Sequence, residues 1–221
     1  MKISKPKAVI LLSGGLDSAV TLYLARHRGF DCHCLIFDYG QRHKREIESA
    51  KKLAGKAGCN YNILKISLPW KGSALLDKGV SLRTMSHELR AKRIPATYVP
   101  GRNIIFLSFT LSYAEAIAAR AIFIGAHNQD YSGYPDCRPE FFRAFSAMAL
   151  KGTKFGVENK EIVIETPLLN KGKAEIIKLG DKLKVPFSLT WSCYEGGKKP
   201  CGKCDSCYFR EKGFKEAGIK E

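Results

Sequence analysis

The sequence predicts an α/β protein, a doubly wound five-stranded parallel sheet with a small carboxyl-terminal zinc-binding subdomain. Three observations predict it. Short β-rich apolar runs alternate with segments of helical period along most of the 221 residues, the pattern of right-handed βαβ crossovers. The first run ends in a glycine turn, Ser13-Gly14-Gly15-Leu16-Asp17-Ser18, that opens a helix. Four of the eight cysteines fall within residues 193–207, after the alternation has stopped.

The elements follow in order. Residues 8–12 read as the first strand and 18–28 as the helix after it, ended by Gly29. Residues 33–37, 61–66, 121–125 and 162–165 read as the remaining strands. Residues 42–54, 103–120, 139–150 and 171–183 carry helical spacing. Residues 67–101 form a long connection of weak periodicity, the length at which lids and binding loops occur. The expected division is a nucleotide-binding domain over residues 1–186 and a cysteine-rich tail over 187–221. In a Rossmann-like sheet of this kind ligands bind at the carboxyl ends of strands, where strand order reverses, and the turn at Ser13 sits at such an end.

That turn has the chemistry of a phosphate loop. Two adjacent glycines let the backbone approach a ligand closely, and the helix start offers unpaired N–H groups and the positive end of its dipole. Leu12 leads into the turn, and Ser13 and Ser18 add hydroxyls. Asp17 can cap the helix or hold a metal near phosphates. The turn lacks the Gly-Lys-Ser/Thr ending of a Walker A loop and the spread glycines of a dinucleotide fingerprint. A plain capped βα turn is the alternative reading.

Composition narrows the class. No apolar run approaches the roughly 18 residues of a membrane span. The basic N-terminus is followed by an apolar run too short for a signal peptide, so the expected location is the cytoplasm. The net charge of +16 suits an anionic partner, and residues 65–103 hold eight Lys/Arg against two acids. Nucleic acid and a nucleoside triphosphate both fit that charge, as does a merely solvated surface.

Cys193, Cys201, Cys204 and Cys207 give the spacing C-x7-C-x2-C-x2-C, with glycines at 196, 197 and 202 for the turns. Four soft ligands closing on one tetrahedral ion favour a structural zinc, with an iron–sulfur cluster as the alternative. Such an ion would pin a tail expected to have little apolar material of its own. Cys32-His33-Cys34 lies on a strand, where the cysteines share one face and His33 takes the other, so core thiols are expected there. The loop at 130–139 leaves the fourth strand at the ligand edge and carries Tyr131, Asp136, Cys137 and Arg138. Aromatic faces can stack on a heterocycle, carboxylates can accept its N–H groups, and an arginine can fork onto a carboxylate. Pro100-Gly101-Arg102-Asn103 offers a second anion-facing turn, and Lys173 begins a helix within reach of phosphates.

The Ser13–Ser18 turn resembles the pyrophosphate loop of the N-type ATP pyrophosphatases, in the adenine nucleotide alpha hydrolase superfamily. Residues 38–41, 100–103, 131–138 and 166–169, with Lys173 and the cysteine tail, together resemble the 7-cyano-7-deazaguanine synthases, in order from Ser13 to Cys207. The resemblance implies an ATP-dependent ligase. It would convert 7-carboxy-7-deazaguanine and ammonia to 7-cyano-7-deazaguanine through adenylated acid and amide, on the route to queuosine or archaeosine. It implies that Leu12, Ser13, Gly14, Gly15, Leu16, Asp17 and Ser18 hold ATP with Mg²⁺, and that Asp17 and Lys173 act in catalysis. It further implies that Arg102, Tyr131, Asp136 and Arg138 orient the acid, that Zn²⁺ sits on the four cysteines, and that the chain pairs as a homodimer. No nucleic acid is expected as a direct partner. A tRNA-modifying thiolase or lysidine-type ligase of the same fold is the alternative, in which the basic patch meets tRNA and Cys137 carries sulfur. A zinc-stabilised nucleic-acid-binding module without catalysis is a third reading, and the phosphate loop argues against it.

Overall fold

Ala8 and Ile10 are buried on one side of the first strand, and Val9 and Leu11 on the other. A strand apolar on both faces must be covered on both, which a parallel sheet with flanking helices achieves. The computed structural model describes residues 4–42, 44–70, 73–77, 94–127 and 133–221. Strands β1 (Lys7–Leu11), β2 (Asp31–Asp38), β3 (Asn60–Lys65), β4 (Ala121–Phe123) and β5 (Val163–Glu165) lie parallel in the order β3-β2-β1-β4-β5. The order reverses between β1 and β4, so a crevice opens above their carboxyl ends.

Helices α1 (Leu16–His27) and α2 (Arg45–Lys56) cover one face. Helices α3 (Arg102–Ala116) and α4 (Pro139–Gly152) cover the other, followed by the single turn α5 (Lys154–Val157). Helix α6 (Lys173–Lys182) joins the first face through Ile176 and Ile177. In β2, Cys32 and Cys34 enter that same core, while His33 turns away and pairs with Asp31 at 3.3 Å.

The tail holds a helix that the sequence pattern does not announce, α7 (Asp205–Ala217). The expectation of little apolar material there is corrected. Phe214 is buried in the same core as α1 and α6, and its ring meets Phe187 edge-on at 5.2 Å. Gly213 lies against the aliphatic stem of Lys173 and Ile177, and a Cβ there would collide with both.

Candidate active site

The carboxyl ends of β1, β2 and β4 open into a cavity of about 540 Å³, lined also by α2, α3, α6 and the tail. The Ser13–Ser18 turn forms part of its wall. Gly14 has φ +88°, and a Cβ on it would collide with the Glu46 carbonyl oxygen of α2. Only glycine lets the turn pass that close to the neighbouring helix. The serines fold the turn from within: Ser13 Oγ and Ser18 Oγ lie 3.1 Å apart, Gly15 N–H donates to Ser13 Oγ at 3.3 Å, and Ser18 Oγ donates to the Gly15 carbonyl at 3.0 Å. No described side chain caps α1, whose N-cap is Gly15, so the first turn presents its amides and dipole to the cavity.

Asp17 stands in that first turn and is held from two other elements. Lys173, the first residue of α6, reaches its two carboxylate oxygens at 2.8 and 2.9 Å. His127, just beyond β4, places Nε2 3.5 Å from Asp17 and 3.1 Å from Lys173 Nζ. Burial works to raise the Asp17 pKa, but Lys173 and His127 outweigh it and hold the carboxyl well below its usual range. A fixed carboxylate, a lysine and an imidazole beside exposed helix amides can bind a magnesium-bound polyphosphate and offset charge on a leaving pyrophosphate.

Part of the cavity wall is aromatic. Phe37 and Phe106 stack at 4.0 Å, Tyr39 meets Phe106 edge-on at 5.3 Å, and Tyr134 closes on Thr97 at 2.6 Å. Arg102 begins α3 among these rings, 3.4 Å from the Tyr39 hydroxyl. Glu46 of α2 also lines this cavity; burial pushes its carboxyl up to about 7, against the pull of Arg102.

The structure thus brings Leu12, Ser13, Gly15, Leu16, Asp17, Ser18, Arg102 and Lys173 to one cavity. Asp136 takes a different position: buried, it accepts the Asn103 backbone N–H at 2.9 Å and so caps α3 beneath Arg102. Arg138 is exposed at the N-cap of α4 and is absent from the described cavity wall. Tyr131 and most of the long connection lie outside the described residues, although Pro95 and Thr97 at its end line the cavity. Sequence reasoning missed His127 and Glu46. His127 follows the fourth strand at its carboxyl end, which is a readable signal; Glu46 looks like any acidic residue in a first helical turn.

The tail forms the remaining wall. The sulfur atoms of Cys193, Cys201, Cys204 and Cys207 all lie within 4.8 Å of one another, a group that could hold a metal ion. Backbone N–H groups point at these sulfurs, from Glu195 and Cys201 to Cys193 and from Lys203 and Cys204 to Cys201, at 3.3–3.4 Å. Such donors favour thiolates, the form that binds metal. Trp191 ties this knot to the turn: its backbone N–H donates to the Gly14 carbonyl at 2.9 Å, its indole N–H donates to the Cys193 carbonyl at 2.8 Å, and Arg45 lies over its ring at 4.9 Å.

Comparison with known proteins matches residues 7–218 to the model of the family described as Queuosine biosynthesis protein QueC. The chain belongs to the QueC family. A QueC-family relative from Leptospira interrogans, named 7-cyano-7-deazaguanine synthase, is 51% identical over 99% of this chain and 90% of its own length. Relatives of the same name from Nostoc sp. and Picrophilus torridus are 50% and 51% identical, covering 97% and 96% of this chain and 95% and 88% of theirs. Among solved structures, NMN synthetase from Francisella tularensis superposes with a TM-score of 0.52 at 18% identity, covering 98% of this chain and 79% of that one. The U34-tRNA thiolase NcsA from Methanococcus maripaludis, with its [4Fe-4S] cluster, gives a TM-score of 0.51 at 18% identity, covering 97% and 68%. These two show that the chain shares its fold with such enzymes. Among the described residues, no helix is long and apolar enough to cross a membrane.

Proposed function

We propose that this chain is itself a 7-cyano-7-deazaguanine synthase, an ATP-dependent enzyme acting on 7-carboxy-7-deazaguanine and ammonia in the cytoplasm. The observation that carries the reading is the Asp17–Lys173–His127 cluster at the N-terminus of α1, in a chain about half identical to synthases of that name over nearly its full length. The Ser13–Ser18 turn binds the ATP phosphates, and Asp17 would hold a Mg²⁺ ion whose charge would screen them. Arg102 pairs with the substrate carboxylate, and the Phe37, Tyr39, Phe106 and Tyr134 rings bound the space for its flat heterocycle.

A carboxylate resists attack by ammonia. Its oxygen therefore attacks the α-phosphorus of ATP, pyrophosphate leaves, and Lys173 offsets the departing charge. Ammonia displaces AMP from the acyl carbon to give the amide. A second ATP activates the amide oxygen in the same way, and loss of AMP leaves the nitrile, so both acid oxygens depart on AMP. The site acts by positioning and charge stabilisation. Cys193, Cys201, Cys204 and Cys207 would hold one structural Zn²⁺, which would tie the tail together. The chain is expected to pair as a homodimer without binding nucleic acid.

Mass spectrometry of a reaction with ATP, ammonia and the acid tests this. The expected products are the nitrile, AMP and pyrophosphate, and Asp17→Asn should lower their formation by about 100-fold or more. Absence of acid-dependent AMP from the wild-type protein would defeat the assignment. Metal analysis should return zinc without iron or visible absorption.

A further inference from the structure

Glu46 is a carboxyl for which the phosphate chemistry has no use. It sits at the start of α2 with its main chain against Gly14, so it is anchored beside the phosphate turn, and it lines the cavity. Among the described residues its carboxyl makes no hydrogen bond or ion pair, and the groups that act on it are Arg102 from α3 and the Tyr39 hydroxyl beyond β2. The cations next to it on its own segment are engaged elsewhere: Arg45 lies over Trp191, and Lys44 reaches Asp38 at 3.5 Å. Arg102 is the group that meets the substrate carboxylate in the reading above, and Glu46 lines the same cavity within its electrostatic reach. Asp17, the catalytic carboxyl named there, is locked between Lys173 and His127 and keeps no affinity for a proton near neutrality.

We propose that Glu46 is the base of the nitrogen chemistry, taking the protons that ammonia sheds as it becomes an amide and then a nitrile nitrogen. The inference rests on the synthase reading. In the first half-reaction the ammonia lone pair forms the C–N bond, the acyl C–O bond breaks with its electron pair leaving on AMP, and one proton passes to Glu46. In the second, the amide oxygen forms a bond to the α-phosphorus of ATP, pyrophosphate leaves, and a second proton is lost from nitrogen. The third leaves as the C–O bond breaks, AMP departs and the C≡N bond closes. Glu46 returns each proton to water before accepting the next. Burial, acting against Arg102, puts its proton affinity at about 7, near the working pH of a general base.

Glu46→Gln separates this role from substrate binding. At fixed free ammonia, amide and nitrile formation should fall by about 100-fold or more, while acid-dependent exchange of pyrophosphate into ATP falls by less than about tenfold. The wild-type rate should decline on acidification with a midpoint of about 7, and that limb should vanish in Glu46→Gln. Glu46→Asp should keep the limb at a reduced rate, and serves alone should Glu46→Gln fail to fold. Equal loss of exchange and nitrile formation, an unchanged acid limb in Glu46→Gln, or loss of the limb in Glu46→Asp overturns the inference. If the wild type shows no acid-dependent exchange, the synthase reading fails and this one with it; exchange without an effect of Glu46 defeats this one alone.

Discussion

Lys173 and His127 grip Asp17 from two elements, so its carboxylate is ionised wherever the chain is folded near neutral pH. Glu46 has the opposite balance, because burial dominates and Arg102 does not overcome it. Its folded pKa is raised from 4.5 to about 7. The stability linked to its protonated form is therefore fully present below 4.5 and lost as pH rises through about 7. Glu46→Gln keeps a neutral side chain at every pH. Relative to wild type, its stability in urea unfolding should rise from pH 5 to pH 8, and a constant difference would count against the burial argument. The two arginines of the sequence reading separate in the same way. Arg102 lies in the cavity and Arg138 outside its described wall. Arg102→Ala should raise the KM for the acid about tenfold or more and leave that for ATP within a few-fold, whereas Arg138→Ala should change both little.

At the scale of elements, the β1–α1 turn is fixed by what packs against it. Gly14→Ala would place a methyl group in the carbonyl of Glu46 and force a left-handed backbone on a residue with a side chain. The expected cost is about 2 kcal/mol or more, read as a lower thermal midpoint, with exchange activity lost as the turn shifts. An unchanged midpoint would mean that α2 yields easily. Helix α3 shows that a loop residue expected at the substrate also serves an element. Asp136 accepts the Asn103 N–H and so fixes the helix start that carries Arg102. The Asp136 carboxylate thus acts on the position of Arg102 through the backbone it orders.

In the whole molecule, the cysteine tail is joined to the phosphate turn rather than hung from it. Trp191 links the cysteine knot to Gly14, and α7 packs against α6 so that Gly213 leaves room for the Lys173 stem. Removing the metal with a chelator should lower the thermal midpoint and change Trp191 fluorescence. It should also weaken ATP binding, although the tail presents none of the α1 amides. Retained nucleotide affinity in metal-free, still folded protein would show the two ends to be independent.

The strands, the five longer helices before residue 184, the turn at Ser13 and the four clustered thiols were legible because each is written in local spacing, whereas the single turn α5 was not read. Alternation, helical period and cysteine intervals survive in a linear string. Helix α7 was not legible, because its aromatic residues are interleaved with cysteine, glycine and charge, and its order comes from Phe214 entering a core made by distant elements. By itself the sequence determined a doubly wound sheet, the place of its ligand edge and a tail built for a metal. Only the tertiary structure decided that Asp17, His127 and Lys173 meet, that Arg102 and Glu46 share the cavity, and that Arg138 stands apart from its described wall. The reason is physical: burial and charge pairing depend on which chain segments converge, and residues as far apart as Asp17 and Lys173 carry no mark of each other until the sheet closes.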